Sequence, residues 1–400
     1  MRIGSQKGRK REERLSAMEE RSRETQQEHA LVDELQAAVA QLSRDGALDR
    51  VSELLAGIAP ADEKAARETR ECWDALAKPL DGLGMIEDAV CRIAAAQGSC
   101  RVRAERRMVA VFCADNGVVA QGVSQSGPEV TASVARGLCE RSTSVCAMAH
   151  TARCAVAPVD VGMLEDVDAA GLIASKTARG TADISQGPAM SREQAAQAIL
   201  VGACVARTAA EAGVDVLLAG EMGIANTTTS AAVACALLGG DPERLTGRGA
   251  GLSSEGLARK VSVVRRALEV NRPDADDALD VIAKVGGFDI AAMCGFYLGA
   301  AASKRPAILD GFISCVAALC AVRLAPEVRG YLIASHLSAE PAAKEVLLAL
   351  DLKAPIHARL HLGEGTGAVA LLPLIDLGLA VYGDSRTFST AGIEAYEHLS

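Results

Sequence analysis

The feature that most constrains the fold is a series of short apolar runs, each ending in glycine and polar residues and followed by helical sequence. The first run, Met108 to Ala114, leads into a long glycine-containing loop. Later runs read CAVAPVDVGM, VDVLLAGEMGI, AILDGFIS and GYLIAS, and helical segments such as SREQAAQAILVGACVARTAAEAG and GLARKVSVVRRALEVN lie between them. This alternation predicts an α/β fold with a Rossmann-like parallel sheet flanked by helices.

The length of 400 residues is enough for more than one domain. We predict a large α/β domain at residues 101–380 and a smaller helical domain at 29–100 that C-terminal helices complete, with a tail at 381–400. Residues 1–28 are dense in both charge signs and poor in large apolar side chains, so we expect a charged, flexible extension there. Aromatic residues make up only 2% of the chain, and small apolar side chains let helices pack closely on a sheet.

Charge and cysteine usage exclude several classes of protein. The net charge of −9 argues against a nucleic-acid partner, because phosphate contacts need a basic surface. We see no apolar stretch of membrane-spanning length and no secretory signal, so we expect no membrane association. The twelve cysteines form no C-x-x-C pair, and the six histidines form no H-x-H or H-E-x-x-H. We interpret the cysteines as small buried hydrophobes in a reducing cytoplasm and predict no metal site.

Ligands of wound sheets bind beyond the carboxyl ends of the strands, and the loop after the first strand is long and polar. It runs from Cys113 to Thr131, and Pro128 opens the helix that follows. A long surface loop containing an Asn-Gly turn is the alternative to a binding loop. Its length and polarity favour binding, with Ser124, Ser126 and Glu129 as polar contacts for an otherwise apolar ligand.

A second loop, LLAGEMGIANTTTSAA, predicts an anion site at the start of a helix. We expect a strand to end at Gly220, followed by Glu221 and then by a helix beginning near Asn226. Free N–H groups and hydroxyls at a helix N-terminus bind phosphate. Capping by Thr227 or Thr228 alone is the alternative, although capping does not explain the whole run. The loop lacks the Gly-Lys-Ser/Thr of a Walker loop.

Two further glycine-rich segments are also candidates for binding an anion. Gly286 and Gly287 precede Asp289 at a helix start, and Asp289 is either a ligand contact or a plain first-turn acid. The segment LTGRGAGLSSEG contains Arg248, a candidate partner for a phosphate.

Near the C-terminus, RLHLGEGTGAV places Glu364 between two glycines, just before a long apolar helix that we expect to begin near Thr366. A carboxylate near a helix dipole would be stabilised by less than about 1 kcal/mol. Three glycines in five residues cost backbone entropy, so a substrate packed against the backbone explains them better. A partly desolvated carboxylate beside an apolar ligand can act as a general base.

These segments occur together in one order and resemble the nicotinate-nucleotide:dimethylbenzimidazole phosphoribosyltransferase family. The motifs are FCADNGVVAQGVSQSGPEVT, RGTADISQGPAMSREQA, GEMGIANTTTSAA, TGRGAGL, KVGGFDIAAMCGFYLGAA, DGFISCVAAL, SHLSAEP and LGEGTGA. The resemblance covers roughly residues 60 to 380.

The resemblance implies transfer of the phosphoribosyl group of nicotinate mononucleotide to 5,6-dimethylbenzimidazole, giving α-ribazole 5′-phosphate and nicotinate. It also implies a homodimer without metal or other cofactor. The general base of the family lies in the LGEGTG motif and corresponds to Glu364, and we expect Glu221 to assist it or to bind ribose hydroxyls. We expect nucleotide and phosphate contacts from Gly220, Gly223, Ile224, Asn226, Thr227, Thr228, Arg248, Gly249, Gly286, Gly287, Asp289, Gly311 and Ser314. We expect contacts with the aromatic base from Ser124, Ser126, Pro128, Glu129, Met222, Leu362 and Gly365.

Several alternatives stay open. The sequence does not identify the preferred base, and relatives that accept purines or phenols, or a nucleotide N-glycosidase, would need similar loops. A non-catalytic nucleotide-binding protein would be expected to have lost one of the two acids, and both are present. A dinucleotide oxidoreductase would need G-x-G-x-x-G after the first strand, where this chain has DNGVVAQGVSQSG.

Overall fold

A computed structural model describes residues 26–397. The extension predicted at residues 1–28 therefore lies almost entirely outside the described residues, as does the end of the predicted tail. Within the described range, residues 26–40 are already helical, and the carboxylate of Glu28 accepts a hydrogen bond from the backbone N–H of Val156 at 2.7 Å.

Six parallel strands within residues 26–397 form one sheet, which confirms the predicted fold class. The spatial order is β3-β2-β1-β4-β5-β6, so the chain reverses direction across the sheet between β1 and β4. The strands are β1 (Arg107–Ala114), β2 (Cys154–Gly162), β3 (Ile173–Ala174), β4 (Val216–Met222), β5 (Ala307–Leu309) and β6 (Leu332–Ala334).

Helices connect and cover the strands, and among the described residues two short 3-10 turns, Gly117–Gln121 and Pro326–Tyr331, accompany them. In the described part of the chain the helices are α1 (residues 26–40), α2 (Ala47–Ala56), α3 (Glu63–Ala75), α4 (Met85–Gln97), α5 (Glu129–Cys139), α6 (Ser144–Thr151), α7 (Arg192–Glu211), α8 (Asn226–Leu238), α9 (Pro242–Leu245), α10 (Ser254–Asn271), α11 (Ala278–Val285), α12 (Phe288–Ala302), α13 (Phe312–Leu324), α14 (Ala343–Leu350), α15 (Thr366–Asp384) and α16 (Phe388–Ala391).

The central strand β1 shows why the sheet is covered on both faces. All eight of its residues are buried. Successive side chains of a strand point to opposite faces, and Met108, Ala110 and Phe112 belong to a main core shared with α7, α8, α12 and α13. Val109 and Val111 belong to a second core, shared with α4, α5, α6 and α15. A strand buried on both faces has a continuous apolar sequence, as this one does.

Glycines allow a very close contact between α7 and α12. A Cβ on Gly202 of α7 would clash with the carbonyl oxygen of Ala292, and one on Gly295 of α12 would clash with that of Ile199. The two backbones therefore touch directly. This contact is the structural reason for the small-residue content of both helices.

The N-terminal helices divide between two environments. Leu31 and Leu35 of α1 and Val51 of α2 belong to the main core. Helices α3 and α4 pack instead with the C-terminal helix α15, where the rings of Trp73 and Tyr382 lie 5.0 Å apart. The predicted domain boundary near residue 100 stays a prediction, with a C-terminal helix packed against α3 and α4 as expected.

One expectation about the C-terminal region is wrong. Among the described residues, α15 is long and apolar enough by length and composition to span a membrane, although we expected no such stretch. Its residues Val369, Leu372 and Ile375 are buried in the second core against the sheet. Its apolar character therefore has a packing explanation. The twelve cysteines are all unpaired, and most of them are buried, as expected for small apolar residues.

Candidate active site

A cavity of about 230 Å³ opens at the carboxyl ends of β4, β5 and β6. It lies next to the point where the strand order reverses, which is where wound sheets bind their ligands. The predicted site residues that line it are Ser124, Glu221, Met222, Gly223, Ile224, Asn226, Thr227, Arg248, Gly249, Gly311, Ser314, Leu362 and Glu364. Segments far apart in the sequence therefore converge on one cavity.

Three helices begin at this cavity. The first-turn residues Asn226 and Thr227 of α8, Phe312 to Ser314 of α13, and Thr366 of α15 all line it. The N-cap residues of these helices, Ala225, Gly311 and Gly365, make no side-chain cap. Helix N-termini carry partial positive charge and free N–H groups, so their convergence favours a bound anion.

Glu364 lies in a turn of left-handed residues immediately before α15. Its φ is 61°, and the flanking Gly363 and Gly365 have φ of 90° and 88°. Left-handed φ is unfavourable for a residue with a Cβ and readily adopted by glycine. The backbone N–H of Glu364 donates to the carbonyl oxygen of Glu221 at 3.2 Å, which joins the two loops that carry the acids.

The structure gives a different reason for the glycines around Glu364 from the one we expected. A Cβ on Gly363 would lie 2.7 Å from Oε1 of Glu221, and one on Gly365 would lie 2.6 Å from Cγ2 of Val109. A Cβ on Gly367 would clash with the imidazole of His336. The groups that come close to this backbone are therefore protein side chains, and these glycines are required by packing within the protein, not by a substrate as we expected.

The carboxylate of Glu364 is half-buried and faces both the cavity and the first turn of α6. Its Oε2 accepts a hydrogen bond from the backbone N–H of Val145 at 3.2 Å. An N–H in the first turn of a helix is a favourable donor to a carboxylate. This bond orients the side chain through one of its two oxygens.

Glu221 is buried within the end of β4, which extends through Met222 and not, as we expected, only to Gly220. Its carboxylate accepts a hydrogen bond from the amide of Asn226. Burial raises the pKa of Glu221 to about 8, opposed by the bond from Asn226 and reinforced by the negative charges of Asp289, Asp310 and Glu364. This carboxyl group retains its proton at neutral pH.

Asp289 is a first-turn acid of α12, which was one of the two alternatives that the sequence left open. It is fully buried in the first turn of α12, outside the cavity lining, and its Oδ2 accepts from the same Asn226 amide at 2.9 Å. Burial raises its pKa to about 6. Asp289 thus lies behind Glu221 and holds Asn226 in place.

The polar end of the cavity is formed by the segment around Arg248. The guanidinium of Arg248 donates to the carbonyl oxygen of Leu252 at 2.7 Å. The N–H of Gly249 donates to Glu340 at 3.0 Å, so this predicted phosphate donor already has an acceptor. Thr227 accepts a hydrogen bond from the buried ammonium of Lys260 at 2.8 Å, and burial lowers the pKa of that lysine to about 8.

Sequence reasoning missed several residues of the cavity lining. Asp310 and His336 follow β5 and β6, and both are buried. Ser338 and Glu340 lie in the SHLSAEP segment, and Gln125 lies between two residues that we did select. Burial lowers the pKa of His336 to about 4, so its imidazole is neutral near pH 7. The available signal was position, because each strand end is expected to contribute to such a site.

Other predicted contacts lie outside the cavity lining. These residues are Ser126, Pro128, Glu129, Gly220, Thr228, Gly286, Gly287, Asp289 and Gly365. Gly220 packs against the backbone of Glu364. The N–H of Gly286 donates to the carbonyl oxygen of Ile282 at 2.9 Å, so it is not free to bind an anion. Leu362, by contrast, is 56% exposed at the cavity rim. Within residues 26–397 no group of three or more histidine, cysteine or acidic side chains is arranged to hold a metal ion.

The sheet and its cavity define a class: a Rossmann-like α/β protein with several acidic side chains and helix N-termini around a ligand cavity at the strand ends. A family model described as DBI_PRT, phosphoribosyltransferase, matches residues 58–393. The nicotinate-nucleotide–dimethylbenzimidazole phosphoribosyltransferase of Acetivibrio thermocellus is 43% identical over 324 residues, which are 81% of this chain and 92% of that protein. The protein of the same name from Alkaliphilus metalliredigens is 40% identical over 347 residues, covering 86% and 99% of the two chains.

A solved structure supports the same family assignment as these relatives. The crystal structure of CobT from Thermus thermophilus matches with a TM-score of 0.79 and 40% identity, over 83% of this chain and all of that one. The chain therefore belongs to the nicotinate-nucleotide–dimethylbenzimidazole phosphoribosyltransferase family, a family of pentosyltransferases, which confirms the resemblance seen in the eight sequence motifs.

Proposed function

We propose that this protein transfers the phosphoribosyl group of nicotinate mononucleotide to 5,6-dimethylbenzimidazole, or to a closely related base, in the assembly of the cobamide lower ligand. The products are α-ribazole 5′-phosphate, nicotinate and one proton. The observation that carries the proposal is the meeting of Glu364, Glu221 and three helix N-termini in one cavity of a chain that belongs to this family.

Glu364 is the general base of this proposal. A neutral benzimidazole becomes a good nucleophile as it loses its N–H proton, and the carboxylate of Glu364 takes that proton while the ring nitrogen bonds to C1′ of the ribose. The bond from C1′ to the nicotinate nitrogen breaks and its electrons return to the pyridine ring. The donor ring is cationic before transfer, so no added acid is needed for it to leave.

The remaining groups bind and orient the donor. The N-termini of α8 and α13, with Arg248 nearby, provide the positive end of the cavity for the 5′-phosphate. Glu221, protonated at neutral pH, donates a hydrogen bond to a ribose hydroxyl or to the carboxylate of Glu364. Met222 and Leu362 flank the aromatic base, and Ser124 provides a polar contact.

Two further features belong to the proposal. We infer a homodimer and a cytoplasmic location, which suit an enzyme of small soluble substrates. No metal or other cofactor enters the reaction as written, because atoms and charge balance between the two substrates.

The test is a competition assay. Purified protein is incubated with nicotinate mononucleotide and an equimolar mixture of 5,6-dimethylbenzimidazole, benzimidazole, adenine, phenol and p-cresol, and products are identified by mass. We expect the benzimidazole riboside phosphates to form together with an equal amount of nicotinate. Phenolic or adenine products as the main species would replace the proposed acceptor. Nicotinate released without a coupled product would instead indicate an N-glycosidase.

A further inference from the structure

Asp310, the residue that follows β5, binds the turn that carries the catalytic base. Its Oδ2 accepts a hydrogen bond from the N–H of Gly365 at 3.1 Å. Its Oδ1 accepts from Gly367 at 2.7 Å and from Ala368 at 3.2 Å. One carboxylate therefore binds three backbone donors that lie more than fifty residues away in the sequence.

These bonds replace a cap that the local sequence does not provide. The N-cap of α15 is Gly365, which has no side chain to accept from the first N–H groups of the helix. Asp310 performs this capping from another part of the chain, since Gly367 and Ala368 are in the first turn of α15. By also binding Gly365, it fixes the residue directly after Glu364.

Asp310 is itself held rigidly. It is buried at 3% exposure, and its backbone N–H donates to Ser314 Oγ at 2.8 Å. The hydroxyl of Ser335 donates to the carbonyl oxygen of Asp310 at 3.3 Å, and Ser314 also bonds to the hydroxyl of Tyr297 at 2.5 Å. These bonds fix the position of the carboxylate relative to β5, which lies inside the sheet between β4 and β6.

The turn at Glu364 needs such a support. Three successive residues have left-handed φ, and Glu364 is the one with a Cβ, so the surrounding contacts must offset the unfavourable backbone conformation. Two contacts act on Glu364 itself, namely the bond from its N–H to Glu221 and the bond from Val145 to its carboxylate. Within the turn, Thr366 bonds to the carbonyl oxygen of Gly363 through its N–H at 3.1 Å and its hydroxyl at 2.8 Å. Asp310 adds an acceptor from a distant part of the chain for Gly365 and the first turn of α15.

The ionisable groups around Asp310 come from several elements. Glu221 lies at the end of β4, His336 follows β6, and Glu364 precedes α15. Tyr297 of α12 and Cys315 of α13 lie on the remaining side. Among these groups, Asp310 alone accepts from the three backbone donors that fix the turn.

We propose that Asp310 is the positioning residue of this active site, holding the turn of Glu364 so that the base carboxylate faces the acceptor nitrogen. The inference rests on the proposed function, in which Glu364 removes the acceptor proton. It adds a role for a residue that makes no covalent step and that acts through the peptide after Glu364.

The first measurement compares Asp310→Asn with the wild type. The asparagine keeps one oxygen for the helix donors, but its amide N–H₂ would face the N–H of Gly365, so the contact with the turn is lost. Misplacing a catalytic group by about 1 Å costs up to about 100-fold in rate, so we expect kcat to fall about 10- to 100-fold. The KM for nicotinate mononucleotide should change less than about 3-fold, because the donor contacts are intact.

Asp160→Asn is the matched control. Asp160 is another buried carboxylate at a strand end, and its Oδ1 accepts from the N–H groups of Gly162 and Met163 at 3.0 and 2.9 Å. It is outside the cavity lining. We expect kcat of this variant within about 2-fold of the wild type. A fall equal to that of Asp310→Asn would mean that general destabilisation causes both losses and would overturn the proposal.

A double-mutant cycle with Glu364→Ala gives the decisive result. If Asp310 acts through Glu364, adding Asp310→Asn to Glu364→Ala changes the residual rate by less than about 3-fold, because there is no base left to misplace. Losses that multiply in the double variant would show that Asp310 acts on the substrate independently, and would overturn the proposal. Asp160→Asn in the same background provides the reference for independent effects.

Two arrangements keep the test informative. Circular dichroism establishes that each variant is folded, and Asp310→Ser, which keeps one small acceptor, enters the same cycle if the asparagine variant does not fold. Failure of the proposed function is visible separately, because the wild type would then form no riboside phosphate. A wild type that turns over, combined with multiplicative losses, contradicts the role of Asp310 alone.

Discussion

At the scale of single residues, Glu364 and Glu221, the two acids of the cavity that the sequence singled out, have different environments and hence different properties. Glu364 is half-buried and accepts from a helix N-terminus, whereas Glu221 is buried among Asp289, Asp310 and Asn226. Glu364 lines the cavity and is oriented by the bond from Val145, so it is placed to take a proton from a bound ligand. A buried carboxyl group that retains its proton is suited to donate a hydrogen bond.

Replacing Glu364 by alanine tests the base directly. We expect kcat to fall about 10²- to 10⁴-fold, because that is the usual contribution of a positioned base. Binding of nicotinate mononucleotide, measured by calorimetry, should be nearly unchanged. Glu211→Ala, at an exposed position of α7, is the control and should retain full activity. Equal losses of rate and donor binding in Glu364→Ala would assign this residue to the donor site.

Replacing Glu221 by glutamine tests its protonation. Burial raises the pKa of this carboxyl from 4.5 to about 8, so the folded state holds a proton that the unfolded state releases. The contribution of Glu221 to stability is therefore complete below about pH 4.5 and is lost as pH rises through about 8. We measure the melting temperature of Glu221→Gln minus that of the wild type at each pH. This difference should be more positive at pH 9 than at pH 5 by at least about 2 °C.

Glu211→Gln serves as the control for this pH series, since it removes the same charge from an exposed site. Its melting temperature relative to the wild type should be similar at the two pH values. If Glu221→Gln behaves in the same way, Glu221 is ionised in the folded protein and cannot donate the proposed hydrogen bond.

The residues that sequence reasoning located, and those it missed, differ in a physical way. Glu221 follows an apolar run directly, and Asn226 and Glu364 lie where the sequence indicates the start of a helix, so their places could be predicted. The role of Asp310 could not, because its partners are backbone groups more than fifty residues away. Asp289 was placed at the correct helix start, but burial behind Asn226 depends on tertiary packing that no local pattern shows.

At the scale of elements, the contact between α7 and α12 depends on glycines whose role the sequence did not indicate. We predict that Gly295→Ala lowers the free energy of unfolding by about 1–3 kcal/mol or more, because the new methyl group would clash with the carbonyl oxygen of Ile199 and force the helices apart. Urea denaturation followed by circular dichroism measures this change.

Gly383→Ala is the matched control at the element scale. Gly383 lies in the last turn of α15, and a Cβ there would have no neighbouring atom within 4 Å among the described residues. Alanine favours helix over glycine, so this variant should be unchanged or more stable by less than about 1 kcal/mol. A similar loss in both variants would show that the effect of Gly295→Ala does not come from the helix contact.

The elements themselves were largely predictable. Apolar runs with β-branched residues predicted β1, β2, β4, β5 and β6, and the structure has all of them. The end of β4 was misplaced because Gly220 suggested a turn, whereas hydrogen bonding to β1 continues as far as Met222. A glycine in a strand here allows the turn of Glu364 to pack directly against the sheet, and a sequence alone cannot distinguish this from a strand end.

At the scale of the whole molecule, the open question is whether the helices before residue 100 form an independent unit. Helix α4 packs against both the sheet and the N-terminal helices, since Ile93 lies in the second core against the sheet and Val90 lies beside Trp73. An ion pair between Arg107 of β1 and Asp376 of α15 also joins the sheet to the helix that packs on Trp73. These contacts favour a single cooperative unit over two domains.

Trp73 is the only tryptophan of the chain and reports on this region alone. It is fully buried, 5.0 Å from the ring of Tyr382, so its fluorescence should shift to longer wavelength when α3, α4 and α15 separate. We predict that the fluorescence transition in urea has the same midpoint as the far-ultraviolet circular dichroism transition, which follows the helices of the entire molecule. Coincidence of two such probes is the expected behaviour of one cooperative unit.

Trp73→Phe provides the control, because it removes the fluorescence signal and shows whether the ring contributes to the dichroism midpoint. A fluorescence transition at clearly lower urea than the dichroism transition would mean that α3, α4 and α15 melt as a separate unit. The boundary predicted near residue 100 would then be a true domain boundary. Coincident midpoints would instead place these helices in the same cooperative structure as the sheet. Helix α4 would then be the element that connects them, because among the described helices before residue 100 it contributes residues to both the second core and the cluster around Trp73.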